Sequence, residues 1–126
     1  MIMRFFKGNG AEIAADAPKE VLGPGKEFSP TDLVVASLGS CVAVLMGMAA
    51  KRLHVDLKGM RIRVEKEMHT APPRRIKKIQ LEVYCPHTFE QSVTRELIKA
   101  AETCPVHHSL HPEIAQEFSF HWGHEP

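Results

Sequence analysis

The sequence predicts an α+β domain in which an antiparallel sheet packs on one long buried helix. Residues 33–50 are uncharged over a length that only a helix fits well. Residues 59–69 and 78–85 alternate apolar and polar side chains, as half-buried strands do. At 126 residues the chain fits a single domain, residues 1–126.

The first third of the chain predicts a hairpin, a loop and the start of the long helix. Residues 2–7 and 11–16 are short strand candidates joined by Gly8-Asn9-Gly10. Residues 17–28 hold two prolines and two glycines and are expected to form an irregular loop. Ser29 then suits a helix cap and Pro30 the first helical position, so the helix is expected from there to about Leu53.

The remaining helices and strands are predicted from changes in the spacing of apolar residues along the sequence. The alternating runs 59–69 and 78–85 are expected to pair as a hairpin around Pro72-Pro73. Residues 88–103 switch to helical spacing, with Thr88 as the expected cap. Cys104-Pro105 begins a short helical turn toward Leu110, and residues 118–122 alternate as a last strand.

The uncharged segment 33–50 just reaches the length of a membrane span. Small or weakly polar residues such as Ser37, Gly39 and Ser40 interrupt it, and Asp32 and Lys51 bracket it closely. Such a helix is more typical of a protein core, where small residues let neighbouring backbones approach. No membrane association is expected.

The charge balance argues against nucleic acid as a partner. Sixteen basic and fifteen acidic residues give a formal net charge of +1, which provides no strong field for a polyanion. The local basic run at residues 74–78 interrupts a strand pattern beside two prolines and is interpreted as a solvated hairpin.

Three cysteines is an odd number, and the chain begins without a signal-peptide pattern. We therefore expect a cytoplasmic protein, in which cysteines are more often catalytic, metal-binding or inert than permanently bridged. Cys41 in the middle of the apolar helix and Cys85 on the inward face of a strand both suit core positions. Cys104 is expected to be functional, because a helix entrance offers free N–H groups that lower a thiol pKa.

Histidines near Cys104 raise a metal-site alternative. Cys104, His107, His108 and His111 lie within two helical turns, and zinc accepts such ligands at short spacing. No second ligand pair at regular spacing accompanies them, so a bound metal is not the preferred interpretation. Serine hydrolase, phosphate-loop and dinucleotide-binding patterns are absent from the sequence.

Two segments resemble a known family. Residues 28–41, Phe-Ser-Pro-Thr-Asp-Leu-Val-Val-Ala-Ser-Leu-Gly-Ser-Cys, resemble the first-cysteine helix of the OsmC/Ohr family of organic hydroperoxide reductases. Residues 104–110, Cys-Pro-Val-His-His-Ser-Leu, resemble its second-cysteine motif. The resemblance implies an OsmC-like fold and an intertwined homodimer with active sites at the subunit boundary.

The same resemblance implies the chemistry and its residues. Cys41 is expected to be the peroxidatic cysteine and Cys104 the resolving one, with an organic hydroperoxide as substrate, a dithiol reductant and no cofactor. The family glutamate position holds Thr31, with Asp32 beside it as a possible substitute, and Arg4 or Lys7 stands for the family arginine. These departures suggest the short OsmC-like branch, within an antioxidant stress response.

Two alternatives stay open at the level of sequence. The first is a thiol protein without peroxidase activity, for redox or sulfur transfer, that uses Cys104 at its helix entrance. The second is a binding module for zinc or a small ligand, built from the cluster between Cys104 and His111.

Overall fold

The computed structural model describes residues 2–21 and 23–124 and confirms the α+β class. Two compact units make up the chain, Met1–Val34 and Val35–Pro126, and a single domain remains a prediction. The helices and strands follow the predicted order: β1 Met3–Phe6, β2 Glu12–Ala15, α1 Pro30–Leu53, β3 Arg61–Met68, β4 Ile76–Cys85, α2 Gln91–Glu102, α3 Pro105–Ser109 and β5 Ala115–Trp122.

The first unit is built on the predicted hairpin. Strands β1 and β2 pair antiparallel, with Phe5 opposite Ile13. Gly10 closes the turn at a φ of 90°, a backbone conformation that glycine adopts without strain. The loop that follows contains one 3-10 turn, Lys19–Val21, and is fixed by Asp16, whose carboxylate accepts the backbone N–H groups of residues 26 and 27.

Helix α1 begins with the predicted Ser29 cap, and Asp32 adds a reciprocal cap that was not predicted from the sequence. The Ser29 hydroxyl accepts the N–H of Asp32 at 3.1 Å, and the Asp32 carboxylate accepts the N–H of Ser29 at 3.0 Å. Two of the N–H groups at the helix start are thereby satisfied, which fixes the first turn.

The second unit has one apolar core between the helices and a three-stranded sheet. Helix α1 contributes Leu38, Val42 and Met46, and strand β4 contributes Ile79 and Leu81, all fully buried. Gly39 lets α1 approach β3 closely, since a Cβ on this residue would lie 2.9 Å from Val64 Cγ2.

The sheet corrects one detail of the predicted fold. Its order is β3-β4-β5, with β3 antiparallel to β4 as predicted but β5 parallel to β4. The sheet is therefore mixed rather than antiparallel. The physical reason is the connection: α2 and α3 carry the chain back along the sheet before β5 begins, and a helical crossover of this kind joins parallel strands.

Helix α2 begins later than the sequence predicted. Its first residue is Gln91 and its N-cap is Glu90, whose side chain makes no capping hydrogen bond. Thr88 is therefore not the cap. Phe89 packs against the core from the segment before the helix, with its ring 6.0 Å from the Trp122 ring. The apolar spacing that predicted the helix therefore includes Phe89, which lies before the first helical residue.

The basic run at residues 74–78 lies at the start of β4 and faces carboxylates. Arg75 Nη1 is 3.0 Å from Glu113, and Lys78 Nζ is 2.8 Å from Glu117. Lys77 Nζ is 3.7 Å from Glu67. These side chains are largely exposed, so the pairs contribute little stability, but they neutralise the local positive charge.

By length and composition alone, α1 also qualifies as a candidate membrane span, with a mean hydropathy of 2.2 over its most apolar window. Of that window, 39% is buried inside the chain. A core helix of a soluble protein meets the same criteria, so this is weak evidence for a membrane.

Candidate active site

Cys104 occupies the helix entrance that the sequence predicted. It is the N-cap of α3, followed by Pro105 in the first turn. The backbone N–H of His107 donates a hydrogen bond to Cys104 Sγ at 3.3 Å. The Cys104 side chain is 0% exposed.

The electrostatic effect on Cys104 is opposite to the one expected from sequence. Burial raises the pKa of the Cys104 thiol above its usual 9.0, and the hydrogen bond with Cys41 raises that pKa further. The N–H groups of His107 and Val106 act in the other direction but are weaker. The expectation of a lowered pKa is therefore wrong, because the sequence showed the N–H donors of α3 but not the complete burial of the sulfur.

Cys41 and Cys104 lie side by side although 104 − 41 = 63 residues separate them. The two thiols are within hydrogen-bonding reach of each other. Packing explains the contact: Cys41 borders the core on α1, and α2 brings buried Leu97 and Ala101 into the same core just before Cys104. Cys85 is fully buried on β4, as predicted.

Cys41 is the more accessible of the two sulfurs. Its side chain is half-buried, whereas that of Cys104 is fully buried. In the second unit, Cys41 borders a stripe of exposed α1 residues that recur at helical spacing. The exposed members of this stripe, called the α1 stripe below, are Ser37, Ser40, Val44, Gly47, Met48 and Lys51.

A groove lies between α1 and α2 about one helical turn along α1 from Cys41, and neither cysteine lines it. Leu45 is one helical turn after Cys41, and Thr103 directly precedes Cys104. The groove has a volume of about 230 Å³. Its lining residues are Leu45, Met48, Arg52, Glu96, Lys99, Ala100 and Thr103.

The other three predicted site residues lie in the first unit and have local partners there. The Asp32 carboxylate caps Ser29, and the Thr31 hydroxyl is 3.2 Å from the Ser29 hydroxyl. Arg4 Nη1 is 3.4 Å from Glu12 Oε1 in an exposed ion pair on the hairpin. A catalytic role for Arg4, Thr31 or Asp32 therefore remains a prediction.

The histidines that follow Cys104 each have a different partner. His107 Nδ1 is 2.5 Å from Gln116 Oε1, and His108 Nε2 is 3.2 Å from the carbonyl oxygen of Glu102. His111 Nδ1 accepts the N–H of Glu113. Within residues 2–21 and 23–124, no group of three or more His, Cys, Asp or Glu side chains is arranged to hold a metal ion.

Sequence reasoning missed Gln116, which bonds to His107 twice. It lies on β5 opposite Ile79, on the same face as Phe118 and Phe120, which pack against the core. The sequence did contain a signal for Gln116. When the alternation of residues 118–122 is extended toward the N-terminus, Gln116 is a polar residue on the apolar face of the strand. Such a residue needs a hydrogen-bond partner.

Comparison with known proteins identifies the family. The family model described as OsmC-like protein matches residues 23–119, most of the chain. The chain belongs to the OsmC-like family. A comparison with curated protein sequences finds no match. OsmC-like proteins are generally soluble.

Solved structures of the OsmC-like family agree. A protein from Psychrobacter arcticus 273-4, named for osmotic stress induction and detoxification, is 30% identical with a TM-score of 0.84, covering 95% of this chain and 94% of that one. The organic hydroperoxide resistance protein OsmC of Legionella pneumophila is 17% identical (TM-score 0.68, coverage 96% and 95%). An organic hydroperoxide resistance protein of Elizabethkingia anophelis is 15% identical (TM-score 0.72, coverage 97% and 96%). The last two show the fold alone.

Proposed function

We propose that this OsmC-like protein reduces organic hydroperoxides with Cys41 as the peroxidatic and Cys104 as the resolving cysteine. A Cys41 thiolate attacks the terminal oxygen of the hydroperoxide, so that the O–O bond breaks and an S–O bond forms. The alkoxide takes up a proton and leaves as an alcohol, while Cys41 becomes a sulfenic acid. Cys104 then forms a disulfide with Cys41 and releases water, and a dithiol reductant reopens the bridge.

The observation that carries this proposal is the contact between the two thiols. Of the three cysteines, Cys41 is half-buried and Cys104 is buried beside it. The reaction needs one accessible sulfur that reacts with the hydroperoxide and a second, neighbouring sulfur that forms the disulfide with it. The alternative in which Cys104 alone is the reactive thiol is disfavoured, because Cys104 is fully buried and its pKa is raised.

The surroundings of Cys41 favour an organic hydroperoxide over hydrogen peroxide. The groove between α1 and α2, about one helical turn from Cys41, is lined partly by Leu45, Met48 and Ala100. Apolar contact of this kind stabilises an alkyl or aryl substituent by about 25 cal/mol per Å² of buried surface. Hydrogen peroxide has no such substituent to bury.

The proposal assigns the activating cation to Arg4, oriented by Asp32 or Thr31, through the family resemblance. An apolar setting disfavours any thiolate, so a cation is needed. Arg4 is held by Glu12 only in an exposed ion pair, with side chains 70% and 46% exposed. Such a pair contributes about 0–1 kcal/mol and does not restrain the guanidinium strongly.

The proposal includes a homodimer, a dithiol reductant and a cytoplasmic location. The α1 stripe beside Cys41 is apolar over Val44, Gly47 and Met48, with Val44 58% and Met48 56% exposed. A second copy that covers this stripe would also enclose Cys41. A cysteine pair that a dithiol reductant must reopen suits a reducing compartment.

The test is stoichiometric oxidation of the wild-type protein and of the variants Cys41→Ser, Cys104→Ser and Arg4→Ala by cumene hydroperoxide. We expect a Cys41–Cys104 disulfide in the wild type, a trapped sulfenic acid on Cys41 in Cys104→Ser, and no oxidation in Cys41→Ser, all assigned by mass spectrometry. Arg4→Ala should slow Cys41 oxidation roughly tenfold or more, while the matched variant Arg74→Ala, the same change at an exposed position ahead of β4, should not. Oxidation of Cys104 in the Cys41→Ser variant would falsify the assignment of roles.

A further inference from the structure

One side chain on β5 holds His107, the residue whose backbone N–H is hydrogen-bonded to Cys104. Gln116 Nε2 donates to the carbonyl oxygen of His107 at 3.1 Å, and Gln116 Oε1 accepts from His107 Nδ1 at 2.5 Å. The backbone N–H of the same His107 donates to Cys104 Sγ at 3.3 Å. A single amide therefore binds both the backbone and the ring of the residue that binds the sulfur.

The orientation of this amide follows from the chemistry of its partners. The His107 carbonyl oxygen can only accept, so the amide group facing it must be the NH₂ of Gln116. The other amide atom is then the oxygen, which also only accepts, and His107 Nδ1 must carry a proton. A flipped amide would place two acceptors against each other. Gln116 therefore makes both bonds in only one orientation.

Helix α3 needs such an attachment. It has five residues, and a helix this short has no stability of its own. The His107 ring also contacts the Phe118 ring of β5, at a centroid distance of 5.3 Å. Gln116 is half-buried among apolar side chains, where an amide is costly unless it is hydrogen-bonded, and its Oε1 and Nε2 both hydrogen-bond to His107.

We propose that Gln116 is a positioning residue for Cys104: by holding His107, it keeps the His107 N–H on the Cys104 sulfur while that sulfur reacts. The catalytic meaning of this inference rests on the proposed function. In the resolving step, the Cys104 thiolate attacks the Cys41 sulfenic sulfur, the S–S bond forms and the S–O bond breaks. Hydroxide leaves and is protonated to water. A donor on Cys104 Sγ stabilises the thiolate that makes this attack.

The test is a titration of Cys104 alone in the folded protein. A full-length Cys41→Ser, Cys85→Ser protein keeps only this thiol, and its thiolate absorbs in the ultraviolet. The same protein carrying Cys104→Ser supplies the blank. Gln116→Met, which is similar in size but cannot hydrogen-bond, is compared with Gln80→Met, an identical change at an exposed position on the other face of the sheet.

The expected result is an upward move of the titration midpoint by about one pH unit in Gln116→Met, because the thiolate loses its aligned donor. At a fixed pH below the midpoint, the thiolate population then falls about tenfold. The direction of the midpoint shift distinguishes a positioning role of Gln116 from a general loosening of α3. A loosened α3 would admit water to the buried sulfur and move the midpoint down. A downward move, no move, or an equal upward move in Gln80→Met overturns the proposal.

A second variant tests the same hydrogen bonds in case Gln116→Met does not fold. Gln116→Asn stays neutral and polar but is one methylene too short to reach both His107 groups, so the midpoint should again rise. With all cysteines present, the Gln116 variants should form the Cys41 sulfenic acid at the wild-type rate and convert it to disulfide about tenfold more slowly, as expected for one pH unit. If the wild type does not react with cumene hydroperoxide, the proposed function fails, but the titration still decides the role of Gln116.

Discussion

The raised pKa of Cys104 has a consequence for stability at alkaline pH. In the unfolded chain this thiol ionises near 9.0, whereas in the folded protein burial and the Cys41 contact keep it protonated to higher pH. Between the two values the unfolded state binds fewer protons, so stability is lost as pH rises through this window. Below pH 9 both states are protonated, and the contribution is fully present.

We therefore expect the free energy of unfolding to fall above pH 9 by up to about 1.4 kcal/mol per pH unit on account of Cys104. Lysine and tyrosine side chains titrate in the same range, so the measurement is a difference. Urea unfolding of the wild type and of Cys104→Ser, at intervals from neutral to alkaline pH, should give two curves that converge as pH rises. Parallel curves would contradict the assignment of a raised pKa to Cys104.

The contact between helix α1 and strand β3 depends on a residue without a side chain. A Cβ on Gly39 would lie 2.9 Å from Val64 Cγ2 and 3.5 Å from Ile62 Cγ2. Valine has little rotamer freedom, so helix and strand would have to move apart. Gly39→Ala is expected to destabilise the protein by about 1–3 kcal/mol, as overpacking does, even though alanine is the better helix former.

Removal of the opposing methyl group tests this explanation. In a Val64→Ala background the Gly39→Ala change loses the close contact and keeps only an ordinary van der Waals contact with Ile62, so it should be neutral or stabilising by up to about 1 kcal/mol. Urea unfolding of the two single variants and the double variant gives the coupling energy. Additive effects, with Gly39→Ala equally harmful in both backgrounds, would show that the close approach is not the cause.

Local patterns were enough to predict most helices and strands. Alternation located β3 and β4, and the cap at Ser29 located the start of α1, because these depend on neighbouring residues alone. The direction of β5 was not predictable in this way, since it depends on where α2 and α3 return the chain. The start of α2 was misplaced because Phe89 is apolar for packing against the core and not for helix formation.

The same distinction applies to the candidate site. The helix entrance at Cys104 follows from Cys-Pro in sequence, but the contact with Cys41 is tertiary and came only from the family resemblance. The sign of the Cys104 pKa shift depends on burial, which a local pattern does not contain. Gln116 acts through two hydrogen bonds to a residue nine positions away on another element, so its role required coordinates.

At the scale of the whole molecule, each unit carries an exposed apolar surface. In the first unit, Met3, Phe5 and Ile13 lie on one face of the hairpin and are 51%, 57% and 55% exposed. In the second unit, the α1 stripe exposes Val44 and Met48. A two-stranded hairpin is marginally stable in water without cover, and apolar surface of this kind marks an interaction site. A second copy of the chain is the proposed cover for both.

The homodimer proposal predicts that a charge placed in the α1 stripe separates the subunits. Val44→Glu would bury an unpaired carboxylate in the interface at a cost of about 3–5 kcal/mol, which raises the dimer dissociation constant at least about a hundredfold. Ser92→Glu, the same charge on an exposed position of α2, is the control and should stay dimeric. Sedimentation equilibrium over a range of protein concentrations measures both.

Because Cys41 and Cys104 belong to one chain, the separated Val44→Glu subunit should still form their disulfide with a thiol oxidant. A monomeric wild type, or a Val44→Glu protein as dimeric as the control, would contradict the proposed homodimer.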